Sequence, residues 1–270
     1  LENHKSMSRV ISHDLDMIKK TYATPRKTSI ENVGAAVYEE KKAEAMEVVV
    51  LIDRFGYAKT IDKATFERNK EAALSESKYV ISCMNTDKAC IFTDTGRLHL
   101  IKIADMPFGR FRDKSIPLDN LGNYDSSGEN IIHICSLASI QDSMMLFATR
   151  TGMLKLVKGS EFDVSKRTVA ATKLADGDSI IAICTADNFN QLVLQTENGY
   201  FIRFPMMNIP EMKKTAIGVR GISLGSGDSV KAVYPLDSSQ ECTIIHNEKE
   251  LLLNKLKLVN RGGKGTKVRV

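Results

Sequence analysis

The chain changes texture early. Up to about residue 28, Met7, Val10, Ile11, Leu15 and Ile18 recur at helical spacing, with Asp14 and Asp16 on other faces. The spacing predicts one amphipathic helix within 1–28, stopped near Pro25, and the polar stretch 29–46 reads as a linker. From residue 47 to 270 the apolar residues fall instead into short Val/Ile/Leu/Phe runs bracketed by turn residues, the texture of strands.

Those runs repeat. "KYVISCMNTDKACIFTDTGRLHLIKI" from Lys78, "NIIHICSLASIQDSMMLFATRTGMLKLV" from Asn130, "SIIAICTADNFNQLVLQTENGYFIRF" from Ser179 and "SVKAVYPLDSSQECTIIHNEKELLLNKL" from Ser229 align with one another. Cys83, Cys135, Cys184 and Tyr234 take the same place in that alignment, at spacings of 52, 49 and 50 residues. Six residues upstream of each stand Ser77, Glu129, Asp178 and Asp228. An earlier partial copy, "EVVVLIDRFGYAKTI", supplies the hairpin without a strand before it. Four hairpin turns carry Gly56, Gly96, Gly152 and Gly199, and the fifth has "NEKE", so its turn must be built differently. Five hairpins at a period near fifty residues predict an all-β domain of about five radial blades, a propeller-like disc. No Trp occurs and no Gly-Gly doublet recurs, so the WD and kelch types do not fit.

Composition narrows the setting. Hydrophobic content of 43% and charged content of 26% lie in the range of soluble globular proteins. The net charge is only +5, but Leu251 onward carries six Lys/Arg and no acid. Local excess cation of this kind binds nucleic acid or anionic surfaces. No apolar run is long enough to cross a bilayer, so no membrane partner is expected. Five cysteines without close pairing point to reduced thiols and a cytoplasmic location. The chain starts at Leu1 without a signal-peptide pattern and reads as an internal piece of a longer protein.

Candidate chemistry is sparse. Three cysteines share one repeat position inside apolar strands and read as packing residues, and no second Cys pair completes a zinc site. His99 and His246 lie in hairpin strands, with no carboxylate cluster beside either in the sequence. "RGGKGTK" lacks the spacing of a phosphate-cradling P-loop. Glu129, Asp178 and Asp228 each follow Gly and read as turn caps. No catalytic residue, metal or cofactor is therefore expected.

The cations do recur. After the hairpins come Arg68 and Lys70; Arg110, Arg112 and Lys114; Lys166, Arg167 and Lys173; Lys213, Lys214 and Arg220; and Arg261, Lys264 and Lys267. A second set rides on the strand after each turn: Lys59, Lys102, Lys155, Arg203 and Lys255. Equivalent positions of a radial repeat share one edge, so these residues predict a basic belt. Aromatic residues make up only 6% and are not expected to interleave with the basic loops. Phosphate contact along double-stranded DNA, without sequence specificity, fits better than stacking on single-stranded bases.

The blades resemble those of the C-terminal domain of the A subunit of bacterial type IIA DNA topoisomerases, gyrase A and its topoisomerase IV counterpart. The likeness rests on "VVVLIDRFGYAKTI", "CIFTDTGRLHLIKIADMP", "LFATRTGMLKLV", "KLADGDSI" and "TAIGVRGISLGSGDSV", in that order. "LDMIKKTYATPRKTSI" resembles the end of that subunit's coiled-coil region. The resemblance implies a β-pinwheel, whose blades exchange strands and whose basic rim bends DNA. It also implies that cleavage belongs to an upstream domain of the same subunit, that an ATPase subunit completes the enzyme, and that this piece is not itself catalytic.

Gyrase A carries a Gln-Arg/Lys-Arg-Gly-Gly-Arg/Lys-Gly box in its first blade. The loop in that place here, "FERNKEAAL", has no glycine pair, while Arg261, Gly262, Gly263, Lys264 and Gly265 match five of the seven positions in the last blade. That loop is either a repeat-closing turn or a turn that also contacts phosphate. Five blades and the missing first-blade box favour a topoisomerase IV-like subunit over gyrase. The competing function is a propeller-like disc that docks proteins without wrapping DNA.

Overall fold

The computed structural model describes residues 3–28 and 44–268. The chain divides into two compact units, Leu1–Lys42 and Ala43–Val270. The first contains helix α1 (His4–Tyr22), opened by Asn3, whose side-chain oxygen accepts from the Lys5 N–H. Met7, Val10, Ile11, Leu15 and Ile18 on its apolar stripe are exposed. Of the expected linker, 29–46, only 44–46 lie among the described residues.

The second unit opens with β1 (Glu47–Asp53) and β2 (Tyr57–Asp62). Two short helices follow, α2 (Lys63–Arg68) and α3 (Lys70–Glu76), then β3 (Ser77–Met84). The second hairpin, β4 (Lys88–Thr93) and β5 (Arg97–Lys102), is followed by short β6 (Ile116–Pro117) and by β7 (Ile131–Ser136). The third, β8 (Met144–Thr149) and β9 (Met153–Lys158), leads to β10 (Thr168–Ala170) and β11 (Ile180–Thr185). The fourth, β12 (Gln191–Thr196) and β13 (Tyr200–Pro205), leads to β14 (Val219–Arg220) and β15 (Val230–Leu236). The fifth, β16 (Thr243–His246) and β17 (Lys249–Leu252), is followed by β18 (Thr266–Lys267).

Pairing does not follow chain order. The four-stranded sheets run β3-β1-β2-β6, β7-β4-β5-β10, β11-β8-β9-β14 and β15-β12-β13-β18, with β16-β17 a two-stranded pair. Each full sheet is a hairpin flanked by two strands from the repeat after it. The sequence repeat and the structural blade are therefore offset. The strand that begins a repeat completes the sheet of the repeat before.

Register corrects one equivalence. Ile81, Cys135, Cys184 and Tyr234 face Val50, Cys90, Leu146 and Val193, whereas Cys83 faces Val48, two residues further along. The slip arises because β3 leaves helix α3 directly, without the Gly-acid turn that precedes β7, β11 and β15.

Both faces of every full sheet are buried. Val48, Val50 and Ile52 pack against Ile91 and Ile134 of the second sheet, while Val49 and Leu51 on the opposite face pack against Phe66 and Ala73 of the helices. Phe92, Leu98 and Leu100 of the second sheet meet Met145 and Phe147 of the third. Leu146, Ala148 and Leu154 then meet Leu192, Leu194 and Phe204 of the fourth. The far side of the fourth sheet, Val193 and Phe201, is covered by Leu251 and Leu253 of the fifth repeat. Face-to-face burial explains why "VVVLI" and "ACIF" are continuous rather than alternating.

The segment read as a first-blade loop, "FERNKEAAL", is helical. Asp62 caps α2, its carboxylate accepting from the Thr65 N–H at 2.7 Å. No Gly or Pro interrupts residues 63–76, and Phe66 and Ala73 bury against the first sheet. The "NEKE" turn is a two-residue turn with Asn247 at φ 50 and Glu248 at φ 66, the geometry in which both central residues are left-handed.

The closing strands are short, and β14 and β18 enter through glycines, Gly218 and Gly265. Gly218, at φ 111, lies where an added Cβ would meet the Leu154 carbonyl oxygen at 2.6 Å. Gly218→Ala should therefore lower stability by about 2 kcal/mol or more, combining backbone strain with a clash against main chain. Gly177→Ala, at φ 75 with no atom within 4 Å, should cost only about 1 kcal/mol. Thermal melts of the two variants check the difference.

Candidate nucleic-acid interface

The expected belt separates into outward and inward cations. Arg110, Arg112, Lys114, Lys166, Arg167, Lys173, Arg220, Lys264, Lys267 and Lys102 are exposed. None forms an ion pair among the described residues. Arg68 and Lys70 are also exposed, but on α2 and α3 rather than on a loop. Lys70 stands 3.8 Å from Glu67. Lys213 pairs with Glu161 at 3.1 Å, and the Lys214 ammonium donates to the Glu161 carbonyl at 2.7 Å, so both are partly engaged.

The first two clusters merge. The loop after the second hairpin docks on the first sheet, with the Thr60 N–H donating to the Pro107 carbonyl at 2.8 Å. Arg110 and Arg112 are thereby brought beside Arg68 in an open groove of about 700 Å³, lined also by Thr65, Asn69, Phe111 and Asp113. Aromatic residues do interleave here, contrary to expectation. Phe108 is 56% exposed just before Arg110, and the Lys59 ammonium lies 5.2 Å from the Phe111 ring.

Three of the strand cations face inward and are removed from the belt. Lys155 is 1% exposed, and its ammonium donates to the Lys214 and Ala216 carbonyls at 2.8 and 2.9 Å. Lys59 donates to the Phe111 and Asp113 carbonyls. The Arg203 guanidinium donates to the Asn254 and Leu256 carbonyls and, at 2.6 and 2.8 Å, to the Gln191 side-chain oxygen. The physical reason is the strand exchange. A cation on one hairpin satisfies carbonyls of the loop that arrives from the next. The repeat alignment also fails here, because Lys59, His99 and Lys155 stand three residues after their turn glycines, Arg203 four and Lys102 six.

The box-like loop is a docked turn. The Gly262 N–H donates to the Gly221 carbonyl, and the Gly263 carbonyl accepts from the Ser223 N–H at 2.8 Å. Gly265 takes the place Gly218 holds one blade earlier, and a Cβ there would meet the Phe201 carbonyl oxygen at 2.7 Å. Arg261 turns inward, donating to the Asn208 and Arg220 carbonyls at 2.7 and 3.1 Å. Lys264 and Lys267 stay exposed, each with its ammonium 5.7 Å from the Tyr200 ring.

This arrangement has counterparts among known proteins. A family model described as "DNA gyrase C-terminal domain, beta-propeller" matches residues 143–183 and 190–237. The A subunit of DNA gyrase from Lawsonia intracellularis (strain PHE/MN1-00) is 30% identical over 98% of this chain and 34% of its own length. That of Chlamydia pneumoniae is 26% identical over 96% and 33%. The chain is a relative of the C-terminal domain of type IIA topoisomerase A subunits. It spans about a third of the length of the curated relatives it matches. A C-terminal domain of DNA topoisomerase IV superposes with a TM-score of 0.74 at 20% identity, covering 84% of this chain and 73% of that one. The E. coli ParC C-terminal domain gives 0.68 at 17%, covering 83% and 94%. These neighbours establish the fold.

Within this A-subunit domain fold, one buried polar cluster escapes sequence reasoning. His99 is buried with its Nε2 3.2 Å from a Glu129 carboxylate oxygen, which also accepts from Thr93 and Thr95 at 2.6 and 3.0 Å. Burial pushes the Glu129 carboxyl up, but hydrogen bonds from Thr93, His99 and Thr95 outweigh it and hold the pKa below the usual range. Asp178 and Asp228 do cap turns: they accept from the Thr151 and Asn198 N–H groups at 3.0 and 3.1 Å. Glu129, one methylene longer, reaches inside instead, and Asp94 caps the Asn130 N–H at 2.9 Å. The only signal in the sequence is that longer acid at the repeat position.

Burial pushes the Lys155 ammonium down to about 8, partly countered by Glu161. The unfolded chain holds that proton up to about pH 10.4. Between those values the unfolded state binds more protons, so stability should rise with pH, by on the order of 2–3 kcal/mol across the window. Lys155→Met should lose this rise, as read from denaturant unfolding of wild type and variant at several pH values from 7 to about 10.

Proposed function

We propose that this chain binds double-stranded DNA without sequence preference and bends it along its exposed cations. It would do so as the non-catalytic C-terminal domain of a type IIA topoisomerase A subunit. The reading rests on the recurrence of exposed, unpaired Lys and Arg after the second to fifth hairpins, joined at the first by Arg68. Phosphate contact is sequence-independent, and among the described residues the second unit's helices are at most seven residues long, short for a recognition helix in a groove. The domain would act beside the cleavage region of the same polypeptide, together with an ATPase subunit, in the cytoplasm. Helices α2 and α3 standing where gyrase A carries its box, together with five hairpins, favour a topoisomerase IV-like subunit over gyrase.

Bending 20–30 base pairs by 40–90° costs on the order of 1–6 kcal/mol, so contacts must spread over several blades. With 6–10 phosphates contacted, affinity should fall by roughly 10³–10⁵ between about 50 and 200 mM salt. Arg110→Ala with Arg112→Ala should lower the log–log salt slope by about 2. Lys264→Ala with Lys267→Ala should weaken bending of long DNA more than binding of a short duplex. Shift assays on both lengths, with linking-number analysis of relaxed circles, check this. Binding that ignores salt would leave a protein-docking disc as the better reading.

A further inference from the structure

Cys90 and Cys135 stand directly opposite each other on β4 and β7. Opposed residues of an antiparallel pair have Cα atoms about 4.5–5.5 Å apart, inside the roughly 4.4–6.8 Å span of a disulfide. The two thiols are buried, Cys90 at 0% and Cys135 at 9% exposure, in the same cluster between the second and third sheets. The other blades place no second sulfur here: Ile81 faces Val50, Cys184 faces Leu146 and Tyr234 faces Val193. Packing alone is thus satisfied without a dithiol.

The pair is unequal. Burial pushes the partnerless Cys83 and Cys184 thiols up to about 11, Cys83 with added repulsion from Asp87. In the pair, the neighbouring Cys90 thiol, and His133 two residues away on the same face of β7, favour the Cys135 thiolate against the opposing effect of burial. The opposed Cys135 sulfur and burial both hold the Cys90 proton on. Cys135 is therefore the sulfur that ionises first, and it is also the one with residual access.

We propose that Cys90 and Cys135 form a reversible dithiol–disulfide site that small hydroperoxides oxidise. The Cys135 thiolate attacks one peroxide oxygen and the O–O bond breaks. The departing oxygen takes up a proton, and Cys135 becomes a sulfenic acid. Cys90 then attacks the Cys135 sulfur, the S–O bond breaks, and the Cys90 proton leaves with that oxygen as water. The two thiols lose two electrons and two hydrogens, and hydrogen peroxide is reduced to two waters. The bond ties the hairpin of the second blade to the strand that carries the chain toward the third.

The test treats the full chain with hydrogen peroxide, alkylates remaining thiols under denaturing conditions and maps the peptides. A single linked pair containing Cys90 and Cys135, lighter by two hydrogens and released by dithiothreitol, is expected. It should form about tenfold faster than the Cys83, Cys184 or Cys242 thiols are lost. Cys90→Ala, or the bulkier Cys90→Val if Ala fails to fold, should leave Cys135 as an unlinked sulfur acid, while Cys83→Ala should change nothing. Uniform loss of all five thiols, over-oxidation of wild-type Cys135 without a link, links between chains, or no reaction before unfolding would each overturn the proposal.

Discussion

Strand exchange is the constraint on which this unit depends. Each full sheet borrows two strands from the next repeat, and the closing members β6, β10, β14 and β18 contribute only two or three paired residues each. Ladders that short cannot hold a loop by themselves. The remaining loop carbonyls would be buried without partners, at a cost of roughly 1–3 kcal/mol each. Lys59, Lys155 and Arg203 meet that need from the preceding hairpin. A charged donor satisfies several carbonyls at once, which offsets part of its own desolvation. In the second blade His99 takes this position and works through Thr168 and Glu129 rather than through loop carbonyls.

Burial on both faces then decides where function can reside. Once each sheet packs on its neighbours, no strand residue between Val48 and Ile52, or between Ala89 and Thr93, reaches solvent with more than a few per cent of its surface. Charge available to a ligand must sit on helices, hairpin tips, strand ends and the loops ahead of closing strands. Arg68, Arg110, Arg112, Lys114, Lys166, Arg167 and Lys264 lie in those places and Lys102, Lys158, Arg220 and Lys267 at strand ends, and the groove at Arg68, Arg110 and Arg112 exists only because one repeat's loop lands on another repeat's sheet.

The second blade combines two departures from the repeat. Its turn region holds the Glu129–His99 cluster, and its sheet holds the opposed thiols. In a low-dielectric interior such polar groups persist only when mutually satisfied, and among the described residues no buried side-chain polar atom lacks a partner.

The sequence by itself determined the hairpins, their period, the glycines of four of the five turns and the family. These are local: a strand needs only its run of β-branched residues, and a tight turn needs its glycine. The "FERNKEAAL" helix was also within reach, since Asp62 and the Gly-free, Pro-free run are local signals, but the repeat pattern overrode them. Tertiary structure alone decided which hairpin each strand joins, because side-chain period sets a strand's face and not its neighbour. It also decided which cations are free. Lys155 and Lys158 sit in one strand with the same charge and similar flanks, yet one is buried beneath the next repeat's loop and the other faces solvent beside Glu211. Nothing within that strand records the loop, some sixty residues away, that makes the difference.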